Sequence, residues 1–563
     1  MSTPSGPENL LEISDLAVSY RSRSGVVRAV DGVDLTVRAG EIVAVVGESG
    51  SGKSTTAHAV IGLLPGTGRI DAGRIRFGGR DLAGLSEREL RPIRGAQIGL
   101  IPQDPTVSLN PVRRIGDQVA EVRRLHGLAD RRSAPLDAVD LLERAGLPDP
   151  AVRARQYPHE LSGGMRQRVL IAMAIAAEPR LIIADEPTSA LDVTVQRLIL
   201  DHIQSLTEEL GTAVLLVTHD LGIAADRARR IVVMSRGRVV EAGPARRILD
   251  RPGHPYTRRL LRSAPSLAVA RPAAPPRPAP SLAVARPSAP PRPAPGAAVT
   301  GRPLVTVENL AKEFPLPRVA GGAARSVRAV HDVSFSIDRG ETFALVGESG
   351  SGKSTTARLV LRLVEPSAGR IAFDGMEITQ ARGEALRRLR RRAQLVYQNP
   401  YASLDPRFTI SEVITEPLRV FRVGDRASRR ARARELVDRV ALPASVLARR
   451  PAELSGGQRQ RVAVARALAL SPDLVVCDEP VSALDVSVQA QVLELLAELQ
   501  AATGVAYLFI SHDLAVVRQI AHRVAVMRAG RIVEIGTTGE LFDRPAHAYT
   551  RELLAAIPGG RYA

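Results

Sequence analysis

The sequence predicts an α/β protein of two lobes, each with a mainly parallel core sheet and an antiparallel β addition. Two observations predict this class. The segment GESGSGKSTTA occurs at residues 47–57 and again, without a change, at residues 347–357. In each half, a short apolar run precedes this segment, and another returns later, directly before the pair Asp-Glu. Such runs are typical of strands that are buried on both faces of a parallel sheet.

The predicted strands can be placed around the repeated segment. Each half first shows apolar residues at alternate positions, as in residues 33–37, which predicts half-buried antiparallel strands. Residues 42–46 and 342–346 are then expected to form the buried strand that enters each repeat, with a helix beginning at its Lys-Ser-Thr. The runs 181–184 and 474–477 predict further parallel strands of the same sheets.

The repeated segment fits the phosphate-binding pattern GxxxxGK[ST]. Its glycines allow backbone N–H groups to surround an anion, its lysine reaches the outer phosphates and its hydroxyl can bind Mg²⁺. Lysine occurs only at positions 53, 312 and 353 among 77 basic residues, so two of the three lysines lie in these loops, where a compact ammonium is needed. The residues predicted to surround the phosphates are Gly47, Ser49, Gly50, Gly52, Lys53, Ser54, Thr55, Gly347, Ser349, Gly350, Gly352, Lys353, Ser354 and Thr355.

Composition limits the class of protein. With 563 residues, 45% of them hydrophobic, the chain is long enough for two globular lobes. The start of the sequence is polar and predicts no secretory signal, and the apolar run 169–177 is far too short to span a bilayer. A single cysteine excludes a disulfide or a four-cysteine cluster within the chain, which predicts a reducing, cytoplasmic setting. The net charge of +18 leaves three interpretations open, namely solvated helix faces, a membrane-proximal surface and nucleic acid, and we favour the first.

A proline-rich segment separates the two halves. Residues 265–279 are followed at once by residues 280–294, and the two stretches differ only at Ala273 and Ser288. This composition cannot build a core and favours extended conformations. We therefore expect a first lobe at 1–265, a linker at 266–303 and a second lobe at 304–563, with a linker that reaches roughly 120 Å when extended.

Four further motifs recur in the same order and at matching spacings in both halves. They are Gln103 and Gln398 in turn-rich segments, LSGG at residues 161–164 and 454–457, the pair Asp185-Glu186 and its counterpart Asp478-Glu479, and His219 and His512. A carboxylate just past a strand end, beside a metal-binding Asp, is well placed to activate a water molecule. The LSGG serines are expected to begin helices, whose first N–H groups form an anion site made of Ser162, Gly163, Gly164, Ser455, Gly456 and Gly457.

On these five ordered motifs, each present twice, the chain resembles the ABC ATPases over nearly everything except the linker. The resemblance implies two P-loop lobes that each carry a helical insertion, ATP and Mg²⁺ as ligands, and ATP hydrolysis as the activity. It assigns phosphate binding to Lys53 and Lys353, Mg²⁺ binding to Ser54, Asp185, Ser354 and Asp478, the general base to Glu186 and Glu479, and γ-phosphate sensing to Gln103, Gln398, His219 and His512. In this family the LSGG segment faces the phosphate loop of the opposite lobe, which implies pairs of Lys53 with Ser455 and of Lys353 with Ser162.

Two weaker signals remain open at this point. Tyr20 and Phe314 resemble the adenine-stacking aromatic residue of the family, although ordinary strand packing would also explain them, and their unequal distances from the phosphate loops make Phe314 the weaker candidate. Cys477 is expected to be a small core residue rather than a reactive thiol.

A short motif near the end of each half indicates which subgroup of the ABC ATPases the chain resembles. Residues 251–257, RPGHPYT, are echoed by residues 544–550, RPAHAYT, and this tail is similar to the extension of ATPase subunits from bacterial dipeptide, oligopeptide and nickel importers. Ala548 departs from the family's HPY pattern. The chain thus resembles both subunits of such an importer, fused. Dipeptides or oligopeptides are the expected cargo, with nickel, glutathione and oligosaccharide as alternatives. A ribosome-binding twin-ABC translation factor fits less well, because this linker is rich in proline and cannot be a continuous helix.

The resemblance also implies partners and a location. It predicts two transmembrane permease subunits, an extracellular solute-binding protein reached through them, no nucleic acid, and peripheral association with the cytoplasmic face of the cell membrane. Residues just beyond Gln103 and Gln398 are expected to contact the permeases, and these are Val107, Leu109, Tyr401 and Leu404.

Overall fold

The computed structural model describes residues 9–22, 25–189, 191–263, 302–315, 326–399, 403–482 and 484–559. The described residues divide into two compact units, one formed mainly by the chain before the proline-rich segment and the other mainly by the chain after it. The duplicated stretch 265–294 and Tyr401 lie outside the described residues.

The first unit contains two sheets. Its strands are β1 Asn9–Ser22, β2 Gly25–Arg38, β3 Ile42–Val46, β4 Gly68–Phe77, β5 Arg80–Asp81, β6 Ile98–Ile101, β7 Leu181–Asp185, β8 Ala213–Thr218, β9 Arg230–Ser235 and β10 Arg238–Pro244. An antiparallel sheet has the order β2-β1-β4-β5. A six-stranded sheet has the order β10-β9-β3-β8-β7-β6, in which only the edge strand β10 is antiparallel to its neighbour.

The second unit repeats this topology. Its strands are β11 Val305–Pro315, β12 Ser326–Ile337, β13 Thr342–Val346, β14 Ala368–Phe373, β15 Met376–Glu377, β16 Ala393–Val396, β17 Leu474–Asp478, β18 Ala506–Ser511, β19 Arg523–Arg528 and β20 Arg531–Thr537. Their orders are β12-β11-β14-β15 and β20-β19-β13-β18-β17-β16. The predicted class, with a mainly parallel core sheet and an antiparallel addition in each lobe, is confirmed.

Helices cover the six-stranded sheets and form the insertion between β6 and β7, or between β16 and β17. In the first unit they are Lys53–Val60, Glu87–Leu90, Pro105–Ser108, Ile115–Leu125, Ala134–Arg144, Pro150–Arg153, Gly163–Ile175, Val193–Leu210, Leu221–Arg227, Ala245–Asp250 and Pro255–Ser263, with a 3₁₀ turn at Pro158–Glu160. In the second they are Lys353–Val360, Gly383–Arg392, Ile410–Val420, Arg426–Arg439, Gly456–Leu468, Val486–Thr503, Leu514–Ile520, Thr538–Asp543 and Ala548–Ala555, with 3₁₀ turns at Ala444–Ala448 and Pro451–Glu453. None of these helices is long and apolar enough to cross a lipid bilayer.

The six-stranded sheet of the first unit buries both of its faces, which explains the continuous apolar runs of its strands. On one face, Val45 and Leu215 pack with the antiparallel sheet and with the helix Lys53–Val60. On the other face, Ala184 and Leu216 pack with the helical insertion and the helix after LSGG. Burial on both faces is the arrangement expected for a mainly parallel sheet.

The turn after Gln103 corrects one prediction. Asp104 caps the short helix Pro105–Ser108, and the chain then turns inward so that Leu109 is only 1% exposed and packs in the core of the helical insertion. Leu404 in the second lobe is 2% exposed. The expectation that these two leucines contact permeases is therefore wrong, because both belong to their own lobe's core. Val107, by contrast, is 81% exposed.

Candidate nucleotide site

The phosphate loop of the first lobe connects β3 to the helix Lys53–Val60, as the sequence predicts. Gly47 has a φ of 154°, and a Cβ atom at this position would lie 2.2 Å from the carbonyl oxygen of Met234. Gly52 precedes the helix with a φ of 101°, a left-handed conformation that glycine adopts without strain. In the second lobe Gly347 and Gly352 repeat both features. The glycines therefore allow the loop to lie directly against the end of the neighbouring strand.

The loop lysine lies inside the loop. Lys53 is 5% exposed, and its Nζ donates hydrogen bonds to the carbonyl oxygens of Gly47 and Glu48, at 2.7 and 3.0 Å. Lys353 makes the same two contacts, both at 2.7 Å. Burial lowers the pKa of Lys53, and the negative charge of Glu186 partly offsets this effect. The ammonium is thus held at the mouth of the loop, where the outer phosphates of a nucleotide would lie.

A hydroxyl and a carboxylate meet beside each lysine. Ser54 Oγ donates a hydrogen bond of 2.9 Å to Asp185 Oδ1, and Ser354 Oγ donates one of 2.8 Å to Asp478 Oδ1. Each carboxylate lies at the end of a buried strand, and burial raises the pKa of Asp478. One carboxylate with one hydroxyl is a donor set that suits Mg²⁺, which usually takes few protein ligands and completes its shell with water and phosphate oxygens.

The next carboxylate along the chain is held by two side chains. Gln103 Nε2 donates to Glu186 Oε2 at 2.9 Å, and His219 Nδ1 lies 3.2 Å from Glu186 Oε1. The second lobe places Gln398 at 2.8 Å and His512 at 3.2 Å from the two oxygens of Glu479. The structure therefore brings the predicted base and the two predicted sensors together within each lobe.

The histidine and the carboxylate influence each other's ionisation. Burial alone would lower the pKa of His512, but its hydrogen bond and ionic attraction to Glu479 outweigh this effect and raise it. Burial would raise the pKa of Glu479, but His512 and Lys353 lower it. The pKa of His219 is raised in the same way by Glu186. Asp478 and Glu479 are thus neighbours at the end of a strand, but only the negative charge of Glu479 is stabilised by a histidine.

The LSGG serines begin helices, as predicted. Ser162 accepts a hydrogen bond of 3.3 Å from the N–H of Met165, and Ser455 accepts one of 3.3 Å from the N–H of Gln458. In the second lobe the Gln458 side chain also accepts from the N–H of Ser455, at 3.1 Å, a reciprocal bond that Met165 cannot make. Both serines are exposed, so each helix presents its first N–H groups to the surface of its lobe.

The strand register explains the unequal spacing of the two aromatic residues. Tyr20 pairs with Val27 in the antiparallel sheet, and Phe314 pairs with Val327. Because these valines precede their phosphate loops by the same number of residues, Tyr20 and Phe314 occupy equivalent positions, and the additional residues of the second lobe belong to the connection between β11 and β12. The Tyr20 hydroxyl lies 3.2 Å from Thr55 Oγ1.

The structure also adds two residues to the site that we did not predict from the sequence. The hydroxyl of Tyr256 accepts a hydrogen bond from the N–H of Glu48, at 3.1 Å, and the hydroxyl of Tyr549 accepts one from the N–H of Glu348, at 3.3 Å. Both tyrosines belong to the RPxHxYT tails. The recurrence of this tyrosine in both tails could have indicated a function, but the sequence does not show that its hydroxyl contacts the phosphate loop.

Comparison with known proteins supports the resemblance to the ABC ATPases. The ABC transporter family model matches residues 30–189 and 330–482, and the model for the C-terminal region of oligopeptide/dipeptide transporters matches residues 240–288 and 533–561. The glutathione import ATP-binding protein GsiA of Pectobacterium atrosepticum is 47% identical over 559 residues, which is 98% of this chain and 90% of that protein. GsiA of Escherichia coli strain K12 is 46% identical over 558 residues, with the same coverage.

Solved structures include single cassettes. The ATP-binding cassette MJ0796, in a dimeric post-hydrolysis state bound to ADP and Pi, is 29% identical, covers 42% of this chain and 98% of its own, and has a TM-score of 0.38.

The family matches cover both lobes and both tails. The two relatives align over nearly the whole chain, so they share the arrangement of two lobes in one polypeptide. The chain therefore belongs to the ABC transporter ATPases, as a fused two-lobe subunit of the oligopeptide and dipeptide importer family that hydrolyses ATP to drive import.

Proposed function

We propose that the chain binds two molecules of MgATP, hydrolyses both, and thereby powers the import of a short peptide. The observation that supports this most directly is the recurrence, in both lobes, of the same contacts among the loop lysine, the Ser–Asp pair and the Gln–Glu–His group. No member of this set is replaced in either lobe. Two competent sites are therefore expected rather than one hydrolytic site and one site that only binds.

The proposed roles follow from the positions of the side chains. Lys53 and Lys353 would move from the loop carbonyls to the β- and γ-phosphates, because a phosphate oxygen is a stronger acceptor for an ammonium than a carbonyl. Glu186 and Glu479 would accept a proton from the attacking water. Gln103 and His219 already contact the two oxygens of Glu186, so they would keep that carboxylate oriented and detect the γ-phosphate beside it.

The Ser–Asp pairs would hold Mg²⁺. When bound, the ion would neutralise charge on the β- and γ-phosphates. Ser54 with Asp185, and Ser354 with Asp478, each place two oxygens side by side at a strand end next to the lysine. Tyr20 and Phe314 would stack on adenine, and the equivalent register of these two residues supports equivalent roles.

Each ATP would be shared by two lobes. We propose that Lys53 works with the LSGG segment that contains Ser455, and Lys353 with the one that contains Ser162. The exposure of both serines at helix starts supports this pairing, because N–H groups that face outward can bind an anion presented by another lobe. The lobes would comprise residues 1–265 and 304–563, and residues 266–303 would tether them.

The partners would be two permease subunits, with an extracellular solute-binding protein bound to them, and the chain would lie peripherally on the cytoplasmic face of the cell membrane. In the second lobe an open cavity of about 700 Å³ lies beside Gln398, between the core and the helix Ile410–Val420, and Tyr397, Phe421 and Arg466 are among its lining residues. We infer that this cavity receives a permease helix.

Glutathione is the first substrate to test. It is a tripeptide, so it falls within the peptide class, and the two full-length relatives described above are named for its import. The chain, its permeases and its solute-binding protein would be reconstituted in liposomes with internal ATP. Uptake of labelled glutathione, a dipeptide, an oligosaccharide and Ni²⁺ would be compared.

We expect uptake of glutathione or of the dipeptide, and none in a chain that carries both Lys53→Ala and Lys353→Ala. Uptake of Ni²⁺ or of the oligosaccharide alone would contradict the peptide assignment. Uptake by the double lysine variant would contradict the proposed nucleotide sites.

A further inference from the structure

The C-terminal tail of each lobe reaches back to that lobe's own phosphate loop. Tyr256 is 208 positions from Glu48 along the chain, yet its hydroxyl accepts the hydrogen bond of the Glu48 N–H. In the same segment, Lys53 donates hydrogen bonds to the carbonyls of Gly47 and Glu48. The start of the loop is therefore held both by its own lysine and by a tyrosine that no motif of the loop contains.

A carboxylate holds the tail in place. Glu241, on β10, accepts hydrogen bonds from the N–H groups of Gly253 and His254, at 2.7 and 3.0 Å. The His254 ring nitrogen Nδ1 then accepts from the N–H of Tyr256, at 3.1 Å, at the start of the helix Pro255–Ser263. A continuous set of contacts thus connects the edge strand, the tail and the tyrosine hydroxyl.

The second lobe builds the same connection from a different sequence. Glu534 accepts from the N–H groups of Ala546 and His547, at 2.8 and 3.1 Å, and His547 Nδ1 accepts from the N–H of Tyr549, at 3.1 Å. Ala548 replaces Pro255 at the first helical position, where proline is favourable but not required, so the geometry is unchanged. The features that persist are the glutamate, the histidine and the tyrosine.

Both tyrosines suit a site for anions. They are buried, and burial raises the pKa of Tyr256, so the phenol stays neutral at physiological pH. A neutral hydroxyl can orient a loop N–H without placing a negative charge beside a phosphate. The ring of Tyr549 is further held by the guanidinium of Arg528, 4.5 Å from its centroid.

We propose that Tyr256 and Tyr549 are positioning residues for ATP binding, and that the matching contacts of each tail with its glutamate place the tyrosine hydroxyl on the first peptide of the phosphate loop. The inference rests on the proposed role of the loop lysines. Without the hydroxyl, the loop must be ordered by the nucleotide itself, and part of the binding free energy is then used for that ordering.

The test uses the full chain with one site disabled. In a Lys53→Ala background, which leaves the second site, Tyr549→Phe removes only the hydroxyl. Tyr507→Phe is the matched control, because Tyr507 is as buried as Tyr549, at 1% exposed, and its hydroxyl donates to the carbonyl of Leu496, at 3.1 Å, away from the loop. Kd for MgATP is measured by calorimetry, and Tm is measured without nucleotide.

We expect Tyr549→Phe to raise Kd about 2- to 10-fold, the range that corresponds to one hydrogen bond. Tyr507→Phe should leave Kd unchanged while lowering Tm about as much as Tyr549→Phe does. Glu534→Gln should raise Kd in the same direction, and it should add little in the Tyr549→Phe background, because both variants release the same hydroxyl. Tyr256→Phe in a Lys353→Ala background should repeat the result for the first site.

An unchanged Kd in Tyr549→Phe with a lowered Tm would overturn the proposal and leave the hydroxyl as a stabilising contact only. Additive effects of Glu534→Gln and Tyr549→Phe would overturn the role of the glutamate. A different failure, ATP binding that survives Lys53→Ala together with Lys353→Ala, would contradict the proposed nucleotide sites instead.

Discussion

Glu186 and Glu479 combine a partly buried side chain, 12% and 13% exposed, with an uncommon backbone conformation. Their φ angles are 46° and 48°, in the left-handed region that residues other than glycine rarely adopt. Each follows directly after a strand-ending aspartate, and its two carboxylate oxygens contact a glutamine and a histidine. A conformation of this kind persists only when the surrounding contacts fix it, and its occurrence at the same place in both lobes supports a role in the reaction.

Replacing either proposed base should stop most of the ATP turnover at its own site. Glu186→Gln and Glu479→Gln keep the shape of the side chain but cannot accept a proton from water, so each should reduce hydrolysis at its own site by roughly 10² to 10⁴-fold. Single-turnover hydrolysis, measured in a chain whose other site carries the lysine-to-alanine change, checks this for each site. Glu365→Gln, at an exposed glutamate, is the control. Near-normal turnover in either base variant would show that its site does not use the carboxylate.

Cys477 should be inert in the folded chain. It is fully buried in β17, and burial raises the pKa of its thiol to about 12, so almost no thiolate exists at pH 8. We expect no reaction with a disulfide reagent in native buffer and complete reaction in guanidinium chloride. Because it is the chain's single cysteine, the rate of labelling in intermediate denaturant measures opening of the second lobe. Rapid labelling of the native chain would contradict the burial.

Residue identity and residue position differ in how far the sequence predicts them. The glycines, lysines and acidic pairs follow from the motifs, because each motif fixes both the residue type and the local backbone. Phe314 followed only as the weaker of the two aromatic candidates, because counting residues to the loop ignores the length of the connection between β11 and β12. Only the strand register, Phe314 opposite Val327 as Tyr20 is opposite Val27, shows that the two are equivalent.

At the scale of elements, the short helix Pro105–Ser108 and the residue after it carry apolar side chains of opposite orientation. Val107 faces solvent, whereas Leu109 lies in the core with Ile115 and Val119. Hydrophobicity alone could not distinguish these two residues, because the local direction of the backbone decides which of the two side chains points inward. The tail tyrosines show the same limit at longer range, since their contacts join segments about 200 positions apart.

Charge substitutions should therefore separate folding from transport. Leu109→Asp places an uncompensated charge in the core, which costs roughly 3–5 kcal/mol, and should lower Tm strongly. Val107→Asp, and Val420→Asp at a residue that lines the cavity of the second lobe, should leave Tm and ATP binding unchanged, because both residues are exposed, and should reduce coupled transport in liposomes. Normal uptake by both exposed variants would contradict the proposed contacts with the permeases, and an unchanged Tm in Leu109→Asp would contradict its burial.

At the scale of the whole molecule, one polypeptide contains two lobes of the same topology and a linker of duplicated sequence between them. The duplication predicts that linker length is not finely specified, and the entropy of closing a flexible loop changes only slowly with length. The fold of each lobe followed from its own motifs and apolar runs. The arrangement of the two lobes does not follow from those patterns, since a linker of this composition restricts it little.

Shortening the linker should leave function intact. Deleting residues 280–294 removes one of the two repeats and leaves a reach of roughly 70 Å in extended form, still longer than the expected width of one lobe, about 50 Å. ATP hydrolysis and peptide uptake should stay within about twofold of the unmodified chain. Loss of uptake with an unchanged Tm would show that the repeat binds something. A scrambled repeat of equal length serves as the control for composition.

The scarcity of lysine has a practical consequence. Lys53 and Lys353 are buried in the phosphate loops, and the ammonium of Lys312 lies 5.2 Å from the ring centroid of Phe314, which we propose to stack on adenine. Every lysine amine of the chain thus lies within or beside a proposed nucleotide site. In this protein, acylation by an amine-directed reagent becomes a footprint of ATP occupancy, in which each modified peptide identifies by its mass which of the two lobes was unprotected.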